Sequence, residues 1–371
     1  MSGQRPTLLV FFGGMGGSPI EDAVASARRA ATFDTIEVAQ SAGIATAIVV
    51  TDDPDMQTEL RGVEIVVDDG AHHFGRKLAG TLRRHSLRSV VYLGGGSVPL
   101  LRAEDFAAIT EALEAGRTVT NNRFSYDLVA WEVDEGTAEV VIGLDRDNSL
   151  AGALQESGME LAELPRSIET VFDIDTPTDL AILAITEFGG ERLRAVVREI
   201  DLDVDQYRRV LPLFFDRNAQ ITVAGRVGTH SWQYLERETA CRVRMFAEER
   251  GMEANGRVAK GEARSLVGYF LEAAGYGHFF EALSDLGDAV FIDSRVLLAH
   301  QRIDASRADR FLSDAGRWEE IGDEFVRDFT IAAKEASIPV LLGGHSLVSG
   351  GLMALNEFAW QQSEAGLLPK Q

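Results

Sequence analysis

The sequence predicts an α/β fold: a three-layer N-terminal domain on a mostly parallel sheet, with a helix-rich second domain behind it. Continuous apolar runs recur through the first half, at 7–12 (TLLVFF), 46–51 (TAIVVT), 63–67 (VEIVV) and 90–93 (VVYL). Such runs fit strands buried on both faces. Helical spacing alternates with them, which calls for right-handed βαβ crossovers. The first and last of these runs stop at glycines, at the strand ends where open α/β sheets gather ligands. A length of 371 residues gives about two domains as the prior.

Composition narrows the function classes. Hydrophobic residues are 45% and charged residues 25% of the chain, the profile of a chain that buries a core. A formal net charge of -22 opposes non-specific binding to nucleic acid or an anionic membrane, so neither is expected as a partner. A phosphate ligand would need a local cationic pocket. The single cysteine, Cys241, permits no internal disulfide and suits a reducing cytoplasm. It reads as a small buried residue on a helix. No apolar run reaches the length of a membrane span or a signal peptide core, so the expected location is cytoplasmic.

Taken in order, 7–12 is the first strand and leads into Gly13, Gly14, Gly16, Gly17 and Ser18. A strand, a glycine-rich loop and a helix can wrap phosphates in backbone N–H groups. The loop is neither GxGxxG nor a Walker loop. A helix is expected over 34–42, closed by Gly43, then strands at 46–51 and 63–67 and a helix at 75–84. His72 and His73, beside Asp68 and Asp69, read as a surface loop, and Arg76 and Lys77 as alternative phosphate donors. The central strand at 90–93 ends in Gly94, Gly95, Gly96 and Ser97, which let the backbone turn tightly and approach a ligand. A helix over 103–113 and a strand over 117–121 follow. Next comes a polar cluster: Asn121, Asn122, Arg123, Ser125 and Asp127. Arg123 there can grip a carboxylate or phosphate, and a solvated loop is the competing reading. Segments 128–133 and 139–142 are expected to pair across a turn, and a helix opens at Asn148 or Ser149. In 171–188, Asp173 and Asp175 alternate on a short strand, Thr176 caps a helix, Pro177 occupies its first turn and Asp179 favours its N-terminus.

The stretch 173–180, DIDTPTDL, resembles the closing motif of the MobA-like nucleotidyltransferases, most closely the phospholactate guanylyltransferase (CofC-like) branch. The resemblance covers about the first half of the chain. It implies a nucleotide-diphospho-sugar transferase-like, Rossmann-like domain over 1–190. The implied reaction is NTP plus a phosphorylated small metabolite giving an NDP-linked product and pyrophosphate. Asp173 and Asp175 would hold Mg²⁺, Arg123 would join them in catalysis, and the two glycine loops with Asn121 and Asn122 would hold the nucleotide. The family's D-x-P-L-L strand end is matched by SVPLL at 97–101, with Ser97 at the carboxylate position. The first loop carries no basic residue, and Arg28 and Arg29 are the nearest. Two other readings stay open, a non-catalytic binding or scaffold protein and a glycosyltransferase using a sugar nucleotide.

Residues 191–371 resemble no family and read as a second folded domain, one that could cover the site or build a homo-oligomer. Helices are expected at 207–215, 232–250, 262–274 and 317–336, and strands at 289–292 and 339–342. Three loops share a composition: AGRVGTHSW (224–232), FIDSR (291–295) and GGHSLVSGG (343–351). If they meet, Arg226, His230, Arg295, His345 and Ser346 make an anion site, with Asp293 orienting a histidine. A serine with histidine and aspartate also suits nucleophilic catalysis, but no G-x-S-x-G elbow accompanies the serine, and independent turns and helix caps are the competing reading.

Overall fold

The structure is a computed structural model that describes residues 5–68, 73–123, 126–253 and 255–367. Asp69, His72 and Ser125 lie outside the described residues. The chain divides into two compact units. One comprises residues 1–15, 25–173 and 189–196, the other 16–24, 174–188 and 197–371.

The first unit is built on seven strands: β1 (Thr7–Phe12), β2 (Ala47–Thr51), β3 (Val63–Val67), β4 (Ser89–Gly94), β5 (Thr118–Thr120), β6 (Leu128–Glu132) and β7 (Leu161–Glu163). Their order is β3-β2-β1-β4-β6-β5-β7. Only β6 runs against its neighbours, antiparallel to both β4 and β5. The helices are α1 (Pro19–Ser41), of which residues 25–41 belong to this unit, α2 (Phe74–Arg84), α3 (Ala103–Glu114), α4 (Glu135–Ile142), α5 (Leu150–Glu156) and α6 (Ile168–Val171). Side chains alternate across a strand, so each run feeds two cores. Leu8, Val10, Val91 and Leu93 pack with Ile36 and Ile109 on one face. Leu9, Ile48, Val90 and Tyr92 pack with Leu78, Leu82 and Leu150 on the other. Each such side chain contributes about 1.5–3 kcal/mol by leaving water.

Two local expectations are corrected. Residues 139–142 belong to α4 and not to a strand. The Asp134 carboxylate accepts from Thr137 N at 2.7 Å and the Thr137 hydroxyl accepts from Asp134 N at 3.0 Å, a reciprocal cap that starts a helix. β6 pairs with β4 and β5 instead. Residues 173–175 are irregular backbone between α6 and α7 (Pro177–Thr186). The amides of Asp175 and Thr176 go to the Asp179 carboxylate, at 2.9 and 2.8 Å, so they have no ladder to join.

The chain continues through α8 (Glu191–Glu199). The second unit holds a four-stranded parallel sheet: β8 (Gln220–Gly225), β9 (Arg242–Ala247), β10 (Ala289–Asp293) and β11 (Val340–Gly343), in the order β11-β10-β8-β9. Its helices are α9 (Asp205–Val210), α10 (Thr229–Glu238), α11 (Leu266–Leu286), α12 (Ser294–Gln301), α13 (Arg307–Asp314), α14 (Glu324–Glu335) and α15 (Leu352–Glu364). The helix expected over 232–250 is two elements. α10 stops at Glu238, and RVRMFA, which alternates exposed Arg242 and Arg244 with more buried neighbours, forms β9. Cys241 is buried in the bend between them and not on a helix. Among the described residues no helix is long and apolar enough to cross a membrane.

Candidate functional site

In an open α/β sheet the ligand crevice opens where consecutive connections leave a strand in opposite directions. In the first unit this point lies between β1 and β4, the two strands that end in the glycine loops. The two loops differ in kind. Gly13 and Gly14 are exposed, and a side chain at Gly13 would meet no atom within 4 Å. The Gly14 amide donates to Asp52 Oδ1 at 2.6 Å. The loop after β4 is closed on itself. Gly95 N donates to Phe11 O at 2.8 Å, Gly96 N to Thr32 Oγ1 at 3.1 Å, Ser97 N to Gly94 O at 3.1 Å, and Val98 N to Asp173 Oδ1 at 2.9 Å. A Cβ on Gly95 would sit 2.4 Å from the Phe12 ring, and Gly96 has φ +80°. Those glycines answer to packing.

Arg28, Arg29 and Lys77, cations near these loops, have protein partners. Arg28 donates through Nε and Nη2 to Gly95 O, at 3.0 and 2.7 Å, and lies over the Phe12 ring. Arg29 pairs with Asp53, and Lys77 with Asp68 at 3.6 Å. Arg76 gives its amide to the His73 ring, which caps α2. Asn121 is buried and fully engaged. Its Nδ2 donates to Asp127 Oδ2 and Thr170 O, and its Oδ1 accepts from the amides of Asp127 and Leu128. Asn122 Oδ1 accepts from Arg166 Nη2 at 3.1 Å, and Arg123 is exposed. Gly16 and Gly17 are exposed, and Ser18 donates to Glu21 Oε2 at 2.7 Å in the first turn of α1.

In the 173–180 segment the two candidate metal carboxylates differ. Asp173 bonds the Val98 amide beside Ser97, so the first unit supplies a carboxylate to the turn whose own residue is a serine. Asp175 has an exposed side chain. Among the described residues no cluster of three or more His, Cys, Asp or Glu side chains is placed to hold a metal. Mg²⁺ commonly takes one or two carboxylates and completes its shell with water and substrate phosphates, and in the first unit Asp173 is the carboxylate held at this turn.

Asp179 stands in the first turn of α7, as expected, and does more there than cap the helix. It is fully buried, and its Oδ2 accepts from Asp175 N, Thr176 N and Thr176 Oγ1 while Oδ1 accepts from the Ser346 hydroxyl. Burial, and then the charge of Asp175, push its pKa up to about 7. The T-x-x-D spacing signals the cap. Nothing local signals Ser346, 167 residues away.

In the second unit the three similar loops follow β8, β10 and β11, so they lie at the same edge of one parallel sheet. The Arg226 guanidinium grips Asp293 through Nε at 2.5 Å and Nη2 at 3.0 Å, and the Arg226 amide adds a third bond. Burial alone would raise the Asp293 pKa, but the Arg226 charge and hydrogen bonds bring it below the usual carboxylate value. Gly225, at φ +139°, permits the approach, because a Cβ there would lie 2.3 Å from the Asp293 Cβ. Arg295 pairs through Nη1 and Nη2 with the buried Asp314 and also reaches Ser294 Oγ. Burial, then the Arg226 charge, lower the His345 pKa and keep the ring neutral at pH 7. Ser346 gives its hydroxyl to Asp179 and Asp293 its carboxylate to Arg226, so no serine-histidine-aspartate relay forms.

The first unit is a mixed, mostly parallel seven-stranded sheet with antiparallel β6 beside β4. The N-terminal half is structurally similar to several solved proteins. A cytidylyltransferase from Leptospira borgpetersenii serovar Hardjo-bovis is 12% identical, with 53% of this chain and 93% of that one covered and a TM-score of 0.37. The 2-C-methyl-D-erythritol 4-phosphate cytidylyltransferase of Thermus thermophilus is 16% identical, with 53% and 100% covered and a TM-score of 0.35. The Rv0371c protein of Mycobacterium tuberculosis H37Rv is 16% identical, with 44% and 89% covered and a TM-score of 0.34; a second structure of it is a complex with manganese. No family model and no curated protein sequence matches the chain.

Proposed function

We propose that the first unit binds a nucleoside triphosphate at the mouth of β1 and transfers its nucleoside monophosphate to a phosphorylated small metabolite. A phosphate oxygen of the acceptor attacks the α-phosphorus, the bond from that phosphorus to the bridging oxygen breaks, and pyrophosphate leaves with the electron pair. The observation that supports this reading most is the Asp173 carboxylate bonded to the Val98 amide, at the strand reversal that also carries the open Gly13 and Gly14. Asp173 and Asp175 would hold Mg²⁺, whose role would be to neutralise phosphate charge. Exposed Arg123 is the side chain assigned to the acceptor phosphate.

The test is pyrophosphate release from a panel of NTPs with Mg²⁺ and phosphorylated acceptors, using the full chain. One NTP should support release, and Asp175→Asn, an exposed position, should lower it by about 100-fold or more with an unchanged melting curve. A binding unit without transfer is the second reading. It draws on Asp52, which already occupies the Gly14 amide, and on the pairing of Arg29 with Asp53. Stabilisation by a nucleotide with no pyrophosphate from any acceptor would select it, and hydrolysis of a sugar nucleotide would select glycosyl transfer.

A further inference from the structure

Arg226 and His345 at the edge of the second sheet have no part in the proposed transfer, yet both interact with the buried Asp293. The strand order β11-β10-β8-β9 places a reversal between β8 and β10, since β8 connects onward to β9 on one side and β10 lies on the other. The ligand crevice of such a sheet opens at the carboxyl ends of these two strands. Here those ends carry Arg226 and Asp293.

Asp293 is buried and holds Arg226 by Nε and Nη2, which fixes the plane of the guanidinium and leaves its third nitrogen, Nη1, outside the pair. Asp293 also accepts the Arg295 amide as the cap of α12, so the carboxylate that aims Arg226 is itself held. Beside them α10 begins after Gly228, with no side chain capping its first turn. A helix N-terminus carries partial positive charge and favours an anion. At this one a cation is found: a side chain at Gly228 would start 3.1 Å from Arg250 Nη1. Arg226 and Arg250 both act on His345, on the loop after β11, as positive charges, while Asp293 and Asp175 act on it as negative ones. The Nδ1 of that histidine is shut off from solvent and has no hydrogen-bond partner. An unmet polar atom in the interior costs about 1–3 kcal/mol, and a bound ligand would remove that cost.

We propose that this edge of the second unit is a binding site for a phosphate monoester, held by Arg226 Nη1, Arg250, the first amides of α10 and His345 Nδ1. A tetrahedral dianion suits the set. It offers enough acceptor oxygens for a fixed guanidinium, a second arginine and backbone amides together, and it meets the helix end and both cations with the opposite sign. Arg295 and Ser346, similar in sequence context, are excluded from the site because Asp314 and Asp179 hold them.

The test is a ³¹P NMR titration of inorganic phosphate into the full chain, with no NTP, acceptor or Mg²⁺ present, followed by displacement with AMP and CMP. Failure of the transfer reaction leaves this measurement untouched, and the reverse also holds. Wild type should bind phosphate saturably. Arg250→Gln and Arg226→Lys should each weaken binding about tenfold or more, as expected for loss of a charge-assisted contact. Arg226→Lys retains a positive partner for buried Asp293, and Arg250 is exposed, so both variants should fold, which matching melting curves would verify. Displacement by either nucleotide at lower concentration than phosphate would identify an ester as the occupant, and displacement by neither would identify free phosphate and overturn the ester assignment. Absence of saturable binding, or equal affinity in wild type and both variants, overturns the site.

Discussion

At the end of β1 the first unit sets out glycine and turns its cations aside: Gly13 faces open space, Arg28 is turned to Gly95 O and Arg29 to Asp53. At the end of β8 the second unit does the reverse, burying Asp293 so that Arg226 has one fixed pose. Both are strand reversals in largely parallel sheets, the place where either unit would take a ligand. A glycine mouth offers backbone amides and takes its charge balance from a metal that arrives with the substrate. An arginine mouth carries its own charge and can hold an anion without one. The difference predicts opposite Mg²⁺ dependence, with nucleotide binding at β1 requiring the metal and phosphate binding at β8 indifferent to it.

The largest effect should come from breaking the fixed pose. Asp293→Ala leaves Arg226 partly buried without its carboxylate, and removing one member of a buried pair costs about 3–5 kcal/mol. Urea unfolding would show it as a lowered midpoint. A loss below about 0.5 kcal/mol would mean that the pair does not organise the edge of this sheet.

Asp179 gives the next largest effect, through pH. Its folded pKa of about 7 lies above the ordinary carboxylate value of 3.8, so the folded protein binds the proton more tightly than the unfolded chain. Its contribution to stability is therefore greatest below about pH 4, declines as pH rises towards 7, and is constant above that, by on the order of 4 kcal/mol across the window. Asp179→Asn keeps the shape, can accept the Thr176 and Asp175 amides, and removes the titration. Stability of wild type minus variant, followed from pH 4 to 8, should slope downward. A flat difference would show that the hydrogen bonds from Thr176 and Ser346 keep Asp179 ionised.

A smaller contrast lies within the first unit. Gly95→Ala drives a methyl into Phe12 and should cost about 1–3 kcal/mol, as overpacking does. Gly13→Ala meets nothing and should stay within about 0.5 kcal/mol of wild type while weakening nucleotide binding. If the two variants exchange these behaviours in urea unfolding and nucleotide titration, the closed and open loops have been assigned the wrong way round.

This pair also shows what the sequence could and could not carry. The strands of the first unit were legible because 7–12 and 90–93 are apolar at every position but Thr7, as double burial demands. Glycines after them were legible as turns, but a glycine that makes room for a ligand is the same residue as one that makes room for Phe12. Asn121 looked like a ligand-side amide for a similar reason. Its four bonds close a loop that only the fold brings together, through Thr170, 49 residues on. β9 was hidden because six alternating residues between two amphipathic stretches can be continued as helix. Arg226 and Asp293 were both visible as residue types, whereas their pairing depends on β8 and β10 lying side by side.

The smallest effect bears most directly on what the open loop is for. Asp52 accepts the Gly14 amide at 2.6 Å, so it holds with a carboxylate the donor that an incoming phosphate would use. If it is a competitor, Asp52→Asn removes a negative charge from the mouth of β1 and should tighten NTP binding severalfold, about 0.5–1 kcal/mol for a solvent-accessible charge. The gain should shrink as salt is raised, because added ions screen exposed charges. If Asp52 instead holds the loop in its binding shape, the same change should weaken NTP binding and leave the salt dependence alone. Titrating one NTP into both proteins at two ionic strengths separates these outcomes. Tighter binding at low salt only would mean that the loop amides are the nucleotide's and that Asp52 keeps their place until it arrives.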